Sequence, residues 1–381
     1  MRNVMSWIKV ISVNIFLTFA LLGLLLLTPP IAYYGYQLVK GANPITQKDF
    51  RAELKLYDKY PWVHRHFQEF RDLSMTYYDY ITWRRDDYEG ETINIRNGIR
   101  HTINADAIDG TQEEYWFFGG STTWGAGVND EYTYPSLFAQ NTPYRVSNFG
   151  EAAYIARQSA AFLLNYLVSN EITDMSSVNV VFYSGVNDVS ARCRSEISVL
   201  GTAREDQIQT TLSQGSDFKY GFERYGFERT FSQLIDLLEG VIRRISNSNP
   251  SNVNKINVYS CAENSNRALE VARTLVDTWH VTSDIVQSRG GKFTAILQPV
   301  AFYGSPETSY LKLTTQNDLD LTAQYNAVYP LIIEAVKNRN LDFLDLTNVY
   351  DGCSNCYIDF CHVGPQGHQI LTTRLISDLN E

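Results

Sequence analysis

The stretch Tyr115-Trp116-Phe117-Phe118-Gly119-Gly120-Ser121-Thr122-Thr123-Trp124-Gly125 is the point from which the fold of this chain can be deduced. Its four consecutive aromatic residues are typical of a short buried strand. The two glycines end that strand and permit the sharp turn that lifts the next side chain out of the sheet. Ser121 is therefore expected at the carboxyl end of a strand, where open α/β sheets bind their ligands. A serine there is a candidate nucleophile, although a plain strand-to-loop turn with a solvated serine fits this stretch alone at least as well.

From this stretch onward, predicted strands alternate with predicted helices. Strands are expected at 115–118, 144–149, 178–183, 292–298 and 341–346. Helices are expected at 133–140, 156–169, 267–287, 319–337 and 365–379. This alternation implies right-handed crossovers and a parallel sheet that is covered on both faces. The predicted fold class is α/β, a flavodoxin-like three-layer α/β/α sandwich with about five parallel strands, and by analogy with such sheets their order is 2-1-3-4-5.

The composition is that of a globular protein. The chain has 381 residues, of which 44% are hydrophobic and 19% are charged, and this supplies enough apolar material for a sizeable core. The formal net charge is −10, and no long basic run occurs. Neutralising phosphates needs clustered Lys and Arg, so the composition argues against nucleic acid as a partner.

An apolar segment lies near the N-terminus, with no charged residue from Val10 to Val39. About 20 apolar residues cross the hydrocarbon core of a bilayer, and Val10 to Tyr33 fits this length with tyrosines near its outer end. Arg2 and Lys9 precede it and favour a cytoplasmic N-terminus mildly. A cleaved signal peptide is the alternative, but the run is long for a signal core and no Ala-x-Ala site follows. We therefore predict one transmembrane signal anchor in residues 1–40, with the rest of the chain extracytoplasmic, in the periplasm or at the cell surface.

Two further regions are expected after the anchor. Residues 41–113 are predicted to form a juxtamembrane connector and a small β-containing subdomain, because helical spacing gives way to alternating, aromatic-rich stretches. Residues 114–381 hold the α/β domain. An insertion at 190–262 interrupts it and contains a tandem repeat of Tyr-Gly-Phe-Glu-Arg at 220–229. The insertion is either a cover that sets specificity or a surface excursion with its own small core.

Polar or glycine residues mark one edge of the predicted sheet. Ser121, Gly150 and Asn187 each follow closely on a predicted strand or end it, and Asp359 and His362 come shortly before the last helix. Each signal is weak alone, because turns favour Gly and Asn, and a lone Asp-x-x-His is more often a surface or capping pair. Together, and in this chain order, the blocks are specific.

From Glu114 to the C-terminus, without the insertion, the chain resembles the SGNH hydrolase superfamily, also called GDSL-like esterases and lipases. In that family four blocks supply Ser, Gly, Asn and His in this order. Gly119-Gly120-Ser121 stands where the family has Gly-Asp-Ser, as in membrane-anchored, polysaccharide-associated branches that look similar here. The later blocks match as Gly150, Gly185-x-Asn187-Asp188 and Asp359-x-x-His362. The resemblance implies a serine esterase of this membrane-anchored type.

The residue types suit ester chemistry. A serine hydroxyl is a poor nucleophile until a base takes its proton, and His362 can take that proton from Ser121 and later protonate the leaving alcohol. Asp359 can accept the other ring N–H and fix the tautomer. The expected oxyanion hole consists of the backbone N–H groups of Ser121 and Gly150 and the side-chain amide of Asn187. We attribute the glycine at 150 to the close approach that its backbone must make.

The sequence contains five cysteines, and an odd number leaves at least one thiol free or intermolecular. They are Cys193, Cys261, Cys353, Cys356 and Cys361. Pairing is expected in an oxidising compartment, either as a bridge between Cys193 and Cys361 near the site or as a small Cys353–Cys356 loop. The Cys-x-x-Cys spacing is also compatible with zinc, but His362 has a better use as the base. We therefore predict neither a metal nor a cofactor.

Serine chemistry at an extracytoplasmic site predicts hydrolysis or transfer of O-acyl groups, chiefly O-acetyl, on a cell-envelope or exported polysaccharide. The expected partners are the acylated glycan or another ester, the membrane through the N-terminal helix, and polysaccharide export or synthesis proteins. A lipase or lysophospholipase is one alternative, but it needs an apolar groove, and the insertion is rich in Ser, Gln, Asp and Arg. A catalytically silent glycan-binding subunit of an export complex is the other, and the intact set of site residues argues against it.

Overall fold

The computed structural model describes residues 49–103, 113–202, 205, 258–379 and, before these, positions 7, 11, 13–18, 21, 23 and 28. Most of the predicted anchor, and the tandem repeat of the insertion, lie outside the described residues. Among those described, no helix combines the length and the apolar character needed to cross a membrane. The chain divides into two compact units, Met1–Lys48 with Gln207–Ile256 and Asp49–Asp206 with Asn257–Glu381. In the first unit, positions 13–18 are helical.

The second unit contains all ten strands that the structure describes. They are β1 Met75–Tyr78, β2 Thr82–Arg85, β3 Tyr88–Glu89, β4 Asn94–Arg96, β5 Ile99–Arg100, β6 Glu114–Gly119, β7 Arg145–Gly150, β8 Val178–Ser184, β9 Lys292–Leu297 and β10 Asp342–Asp345. Its α-helices are α1 Val63–Asp72, α2 Ser121–Trp124, α3 Tyr134–Asn141, α4 Ala156–Ser169, α5 Val186–Arg192, α6 Ser265–Gln287, α7 Gln316–Lys337 and α8 Pro365–Leu379.

Eight of the described strands form one sheet in the order β10-β9-β8-β6-β7-β5-β4-β3. The strands β6 to β10 are parallel, and their order across the sheet is the predicted 2-1-3-4-5, which confirms that prediction. Strands β5, β4 and β3 continue the sheet in antiparallel fashion from β7, with Arg100 opposite Asn148. This part of the predicted connector is therefore continuous with the central sheet. Strands β1 and β2 pair with each other as a separate hairpin.

Side chains of the parallel strands alternate between two hydrophobic layers. On β6, Trp116 and Phe118 join a buried cluster with residues of α4, α6 and α7, whereas Tyr115 and Phe117 join a cluster with residues of α3 and α8. Successive strand residues point to opposite faces, so an all-parallel strand is apolar throughout. Fully burying a side chain such as Phe118 contributes about 1.5–3 kcal/mol. The parallel sheet thus lies between two helical layers.

Helix boundaries agree with the predicted ones where apolar spacing defines them, as in α4 and α8. Two helices begin earlier than predicted because of polar caps. The side chain of Asn264 accepts an N–H from the first turn of α6. At α7, Thr315 and Asp318 exchange side-chain and backbone bonds as a capping box. Apolar periodicity alone does not predict either cap.

The disulfides are Cys193–Cys261 and Cys353–Cys356, and Cys361 is a buried free thiol. The small Cys353–Cys356 loop is confirmed, whereas the alternative bridge between Cys193 and Cys361 is wrong. Cys193 lies just after α5 and Cys261 just before α6, so their bridge closes the base of the insertion. Zinc binding through the Cys-x-x-Cys pair is excluded, because a disulfide leaves no thiolate to coordinate the metal.

Candidate active site

Ser121 is the first residue of α2 and follows β6 after a single intervening glycine. The turn is tight on both sides: a Cβ on Gly119 would lie 2.5 Å from the carbonyl oxygen of Tyr183, and a Cβ on Gly120 would lie 2.4 Å from Asn187 Nδ2. Gly119 thus allows close approach to the backbone of β8, and Gly120 allows close approach to the Asn187 side chain in α5. Because Ser121 begins a helix, its backbone N–H has no acceptor within that helix.

His362 joins the serine to a carboxylate. Its Nε2 lies 2.6 Å from Ser121 Oγ, and its Nδ1 lies 2.7 and 2.9 Å from the two carboxylate oxygens of Asp359. Since a carboxylate can only accept, Nδ1 carries the proton and Nε2 is free to accept the serine hydroxyl. The structure thus brings together Ser121, His362 and Asp359, which stand far apart in the sequence, in the geometry of a nucleophile, a base and an orienting acid. All three side chains are partly exposed, so a substrate can reach them.

The Asp359 carboxylate is held ionised by its surroundings. Burial acts to raise its pKa, but the adjacent His362 and two backbone N–H groups outweigh burial and lower the pKa to about 2. Those N–H groups belong to Cys361 and His362 and reach Oδ1 at 3.0 and 2.8 Å. The loop between Asp359 and His362 therefore fixes the carboxylate and the ring relative to each other.

Asn187 lies in the first turn of α5, directly beside the serine turn. Its Nδ2 donates one hydrogen to the carbonyl of Tyr154 at 2.9 Å, which leaves the second hydrogen of the amide for another acceptor. The next residue, Asp188, is fully buried, forms an ion pair with Arg192 at 2.8 Å and accepts the Ala156 N–H. Burial raises the pKa of Asp188, and Arg192 offsets part of that rise. Asp188 thus fixes α5 and its asparagine against the start of α4.

Gly150 is the last residue of β7. Its N–H donates to the side chain of Asn148 in the same strand at 3.0 Å, so this N–H is already engaged. The residue is buried, and a Cβ there would lie 2.3 Å from the backbone nitrogen of Trp124 and 2.7 Å from the carbonyl carbon of Thr123. The close approach that requires a glycine is therefore to the α2 backbone. That this N–H faces an oxyanion stays a prediction, and its acceptor in the structure is the Asn148 side chain.

A residue that sequence reasoning missed lies three positions further on. Ala153 is exposed and has φ +60°, a left-handed conformation that is uncommon for alanine. Its N–H has no acceptor among the contacts of the described residues. The loop that holds it borders the site, because the Tyr154 carbonyl binds Asn187 and lies 3.5 Å from where a Cβ of Gly120 would be. No sequence signal marks Ala153, since alanine has none of the turn preference of glycine.

Asp359, Cys361 and His362 present potential ligand atoms within 4.8 Å of one another. Burial raises the pKa of the Cys361 thiol well above its ordinary value, so this sulfur is protonated and a poor ligand. Both ring nitrogens of His362 are engaged by Asp359 and Ser121. A metal there would have to displace the serine–histidine–aspartate contacts.

No family model matches the chain, and no curated protein matches it. Among solved structures, it is similar to a member of the lipolytic protein G-D-S-L family from Veillonella parvula DSM 2008, with 11% identity, 70% of this chain and 97% of that chain covered, and a TM-score of 0.39. It is similar to the aryl esterase of M. smegmatis, with 13% identity, 70% and 98% coverage and a TM-score of 0.37. It is also similar to the acetyl xylan esterase AlAXEase, with 14% identity, 69% and 98% coverage and a TM-score of 0.35. At these identities and TM-scores, the activities of those proteins do not transfer to this chain.

Proposed function

We propose that this protein is a serine esterase of SGNH type that hydrolyses or transfers O-acyl groups, chiefly O-acetyl, on a cell-envelope or exported polysaccharide. The observation that supports the enzymatic part is the continuous hydrogen-bonded chain from Ser121 through His362 to Asp359, with links of 2.6 and 2.7 Å. The negative charge of Asp359, the positions of the three side chains and their partial exposure all suit nucleophilic attack by Ser121 on an ester.

In the proposed reaction, Ser121 Oγ attacks the acyl carbonyl while its proton passes to His362 Nε2. The tetrahedral oxyanion collapses, the bond to the sugar oxygen breaks, and the imidazolium protonates that oxygen. Water then attacks the acyl-serine, gives its proton to Nε2, and the acid is released as Ser121 recovers its hydrogen. A sugar hydroxyl in place of this water makes the same site a transferase. Asp359 stays ionised throughout and stabilises the imidazolium.

The oxyanion hole proposed here differs in one donor from the sequence prediction. The N–H of Ser121 and the second hydrogen of Asn187 Nδ2 are retained, and the N–H of Ala153 takes the place of the Gly150 N–H. The left-handed conformation of Ala153 and its lack of an acceptor among the described residues support this choice. One such donor typically contributes about 100–1000-fold to turnover.

The polysaccharide and the membrane are the finer part of the proposal. The apolar N-terminal segment supports a membrane anchor, and the two disulfides support an oxidising, extracytoplasmic compartment. This placement is the reason for proposing an acylated envelope or exported glycan as the substrate. Export or synthesis proteins of the same polysaccharide are the partners we propose.

The first experiment is hydrolysis of p-nitrophenyl acetate by the full chain and by Ser121→Ala. We expect the variant to lose at least about 1000-fold in turnover, because the nucleophile is gone while the rest of the site remains. Ser169→Ala, at the exposed end of α4, is the matched control and should retain full activity. A fluorophosphonate should label the wild type and the control but not Ser121→Ala.

The same preparation separates the alternatives. Acetate released from acetylated polysaccharide, with no fatty acid released from phospholipid vesicles, supports the glycan substrate over a lipase. Glycan binding with neither turnover nor fluorophosphonate labelling would identify a silent binding subunit and reject the esterase.

A further inference from the structure

The residues that connect the predicted anchor to the catalytic domain pack on the loops that carry the site. The 49–72 segment comprises two short 3-10 turns, Phe50–Glu53 and Lys55–Tyr57, followed by α1. One of its arginines, Arg51, lies 3.8 Å from Asp359 through Nη1 and Oδ2. We propose that Arg51 is a positioning residue for the Asp359 carboxylate, and that the 49–72 segment is in this way a structural part of the catalytic centre. The inference rests on the proposed esterase function and deepens it.

Arg51 is held by three neighbours of its own region. Its Nε and Nη2 donate to the two carboxylate oxygens of Asp49 at 3.0 and 2.8 Å, a bidentate arrangement that fixes the plane of the guanidinium. The guanidinium carbon lies 4.7 Å from the ring centroid of Phe67 and 5.5 Å from that of Phe70. Asp49 fixes the plane of the Arg51 guanidinium, and the rings of Phe67 and Phe70 pack on it. The remaining nitrogen, Nη1, is the one nearest Asp359.

The segment is also joined to the site loops by buried contacts. Tyr57 donates through its hydroxyl to the carbonyl of Gly127, and His66 donates through Nε2 to the carbonyl of Ala126 at 3.1 Å, in the loop just after α2. On the other loop, Ile358 is fully buried in a cluster with residues of the segment. One element thus contacts the loop that follows Ser121 and the loop that carries Asp359.

The charges that face Asp359 define what Arg51 does. His362 Nδ1 lies 2.7 Å and Arg51 Nη1 lies 3.8 Å from Oδ2 of Asp359, and the guanidinium is itself paired with Asp49. The neighbouring groups Tyr57 and Cys361 are uncharged near neutral pH, because burial raises the pKa of each well above its ordinary value. Oδ1 is fixed by backbone N–H groups, so the Arg51 charge acts chiefly on Oδ2. Arg51 therefore restrains the carboxylate against rotation out of the plane of the imidazole.

The test compares Arg51→Met, Arg51→Lys and the matched control Arg374→Met in the full chain. Methionine keeps the apolar stem over Phe67 but removes the charge, lysine keeps the charge, and Arg374 forms a comparable ion pair with Asp378 at 2.6 Å on α8. We expect Arg51→Met to lower kcat for p-nitrophenyl acetate by about 10–100-fold with KM within about twofold, as for a small misplacement of a catalytic group. Arg51→Lys should recover part of that loss, and the control should match the wild type.

The pH profile gives a readout that a merely structural role would not move. Without the Arg51 cation, the negative charge of Asp359 beside the His362 ring is no longer partly offset. This favours the protonated ring, the imidazolium. The acid limb of kcat/KM should therefore move to higher pH in Arg51→Met and return toward the wild-type position in Arg51→Lys. Thermal unfolding of each variant reports whether the fold is kept.

Each result decides the inference. Arg51→Met at the wild-type rate with an unmoved acid limb overturns it, and so do equal losses in the methionine and lysine variants accompanied by equally lowered melting temperatures. A wild type that neither hydrolyses the ester nor reacts with a fluorophosphonate overturns the proposed function, and the inference with it. When the wild type hydrolyses the ester, a change of rate in an Arg51 variant reports on Arg51 and not on the proposed function.

Discussion

The parallel α/β core and the region at residues 49–103 belong to one compact unit but reach their structures by different means. The core consists of helices whose apolar residues repeat with a period close to 3.6 and of parallel strands that are apolar almost throughout. The 49–103 region has short elements, and its order depends on buried polar groups that reach across the chain. The candidate site therefore depends on both regions. The elements of the core can be predicted from the sequence pattern, whereas the contacts that order the 49–103 region cannot.

Two polar residues show how the 49–103 region is held. Glu69 of α1 is fully buried and accepts N–H groups from the turn at 91–93 at 2.8 to 3.1 Å. Arg100 of β5 is buried, pairs with Asp130, and donates to the carbonyls of Trp124 and Val128 at 3.3 and 3.1 Å. Leaving such groups unpaired costs about 1–3 kcal/mol each, so these contacts specify one arrangement of the region on the serine turn.

The same truncation placed in each region gives the largest expected effect. Phe67 in α1 and Phe118 in β6 are 1% and 0% exposed. We expect Phe67→Ala and Phe118→Ala each to lower the free energy of unfolding by about 3–5 kcal/mol, through lost apolar burial and the cavity left behind. Denaturant unfolding followed by fluorescence and by circular dichroism measures this.

The form of the unfolding curve tests whether the two regions act as one. If the 49–103 region is an integral part of the unit, both variants shift one common transition. A separate early transition, moved by Phe67→Ala and untouched by Phe118→Ala, would show instead that this region is an independent attachment.

Two glycines beside the serine predict the next effect. A Cβ on Gly120 would meet the amide end of Asn187, a side chain that can turn away, whereas a Cβ on Gly150 would meet the rigid backbone of α2. Gly120→Ala should therefore keep the fold and lose about 100–1000-fold in turnover, since Asn187 is displaced from the proposed oxyanion hole. Gly150→Ala should chiefly destabilise the fold, by about 1–3 kcal/mol or more.

Melting temperature and kcat measured on both variants separate these effects. Unimpaired turnover in a folded Gly120→Ala protein would remove Asn187 from the proposed oxyanion hole. A stable Gly150→Ala protein with specifically lost activity would restore Gly150 to the role that the sequence analysis gave it.

These outcomes bear on what the sequence can predict. The strands and the placement of Ser121 were accessible because parallel strands end at a common edge and a repeating pattern locates each end, whereas the strand order came from analogy with flavodoxin-like sheets. Asp359 and His362 were accessible because three-residue spacing in a loop before a helix is a local signal, and the resemblance supplied their roles. The site roles remain predictions, which the observed geometry makes testable.

The remainder depends on contacts between distant parts of the chain. Arg51 and Asp359 are separated by most of the sequence, and no periodicity relates them. The choice between Gly150 and Ala153 as the proposed oxyanion donor depends on how one loop turns after β7, and the bond from the Gly150 N–H to the Asn148 side chain favours Ala153. Such details follow from three-dimensional packing, and a single sequence carries no signal for them.

Two buried histidines, one in each region, predict a pH dependence of stability. Burial, aided by the charge of Arg100, lowers the pKa of His66 and of His368 from 6.5 to about 3. Between these pH values the unfolded chain binds a proton at each histidine and the folded chain does not. The free energy of unfolding therefore falls as the pH drops from 6.5 toward 3, by about 1.4 kcal/mol per pH unit for each histidine.

Two substitutions separate the contributions. His66→Gln places an amide N–H where Nε2 donates to Ala126, and His368→Asn places an oxygen where Nδ1 accepts the Tyr134 N–H. In each variant, the slope of unfolding free energy against pH should fall by about 1.4 kcal/mol per pH unit, the contribution of one histidine. Urea titrations between about pH 4 and 7 measure this slope. A slope equal to that of the wild type in either variant would show that the histidine concerned is not neutral and buried in the folded state.

The smallest expected effect on activity concerns a contact between α2 and the loop that carries Asp359 and His362. Thr122, next to Ser121, accepts a hydrogen bond from the buried Gln298 at 2.8 Å and donates one to the carbonyl of Cys361, next to His362, at 3.3 Å. Thr122→Val keeps the shape and removes both bonds, which should cost about 1–3 kcal/mol of stability and lower kcat less than about tenfold. Thr122→Ser retains the hydroxyl and should keep both bonds and the activity. Equal kcat values for the valine and serine variants would show that the Thr122 hydroxyl is not needed to position Ser121 against His362.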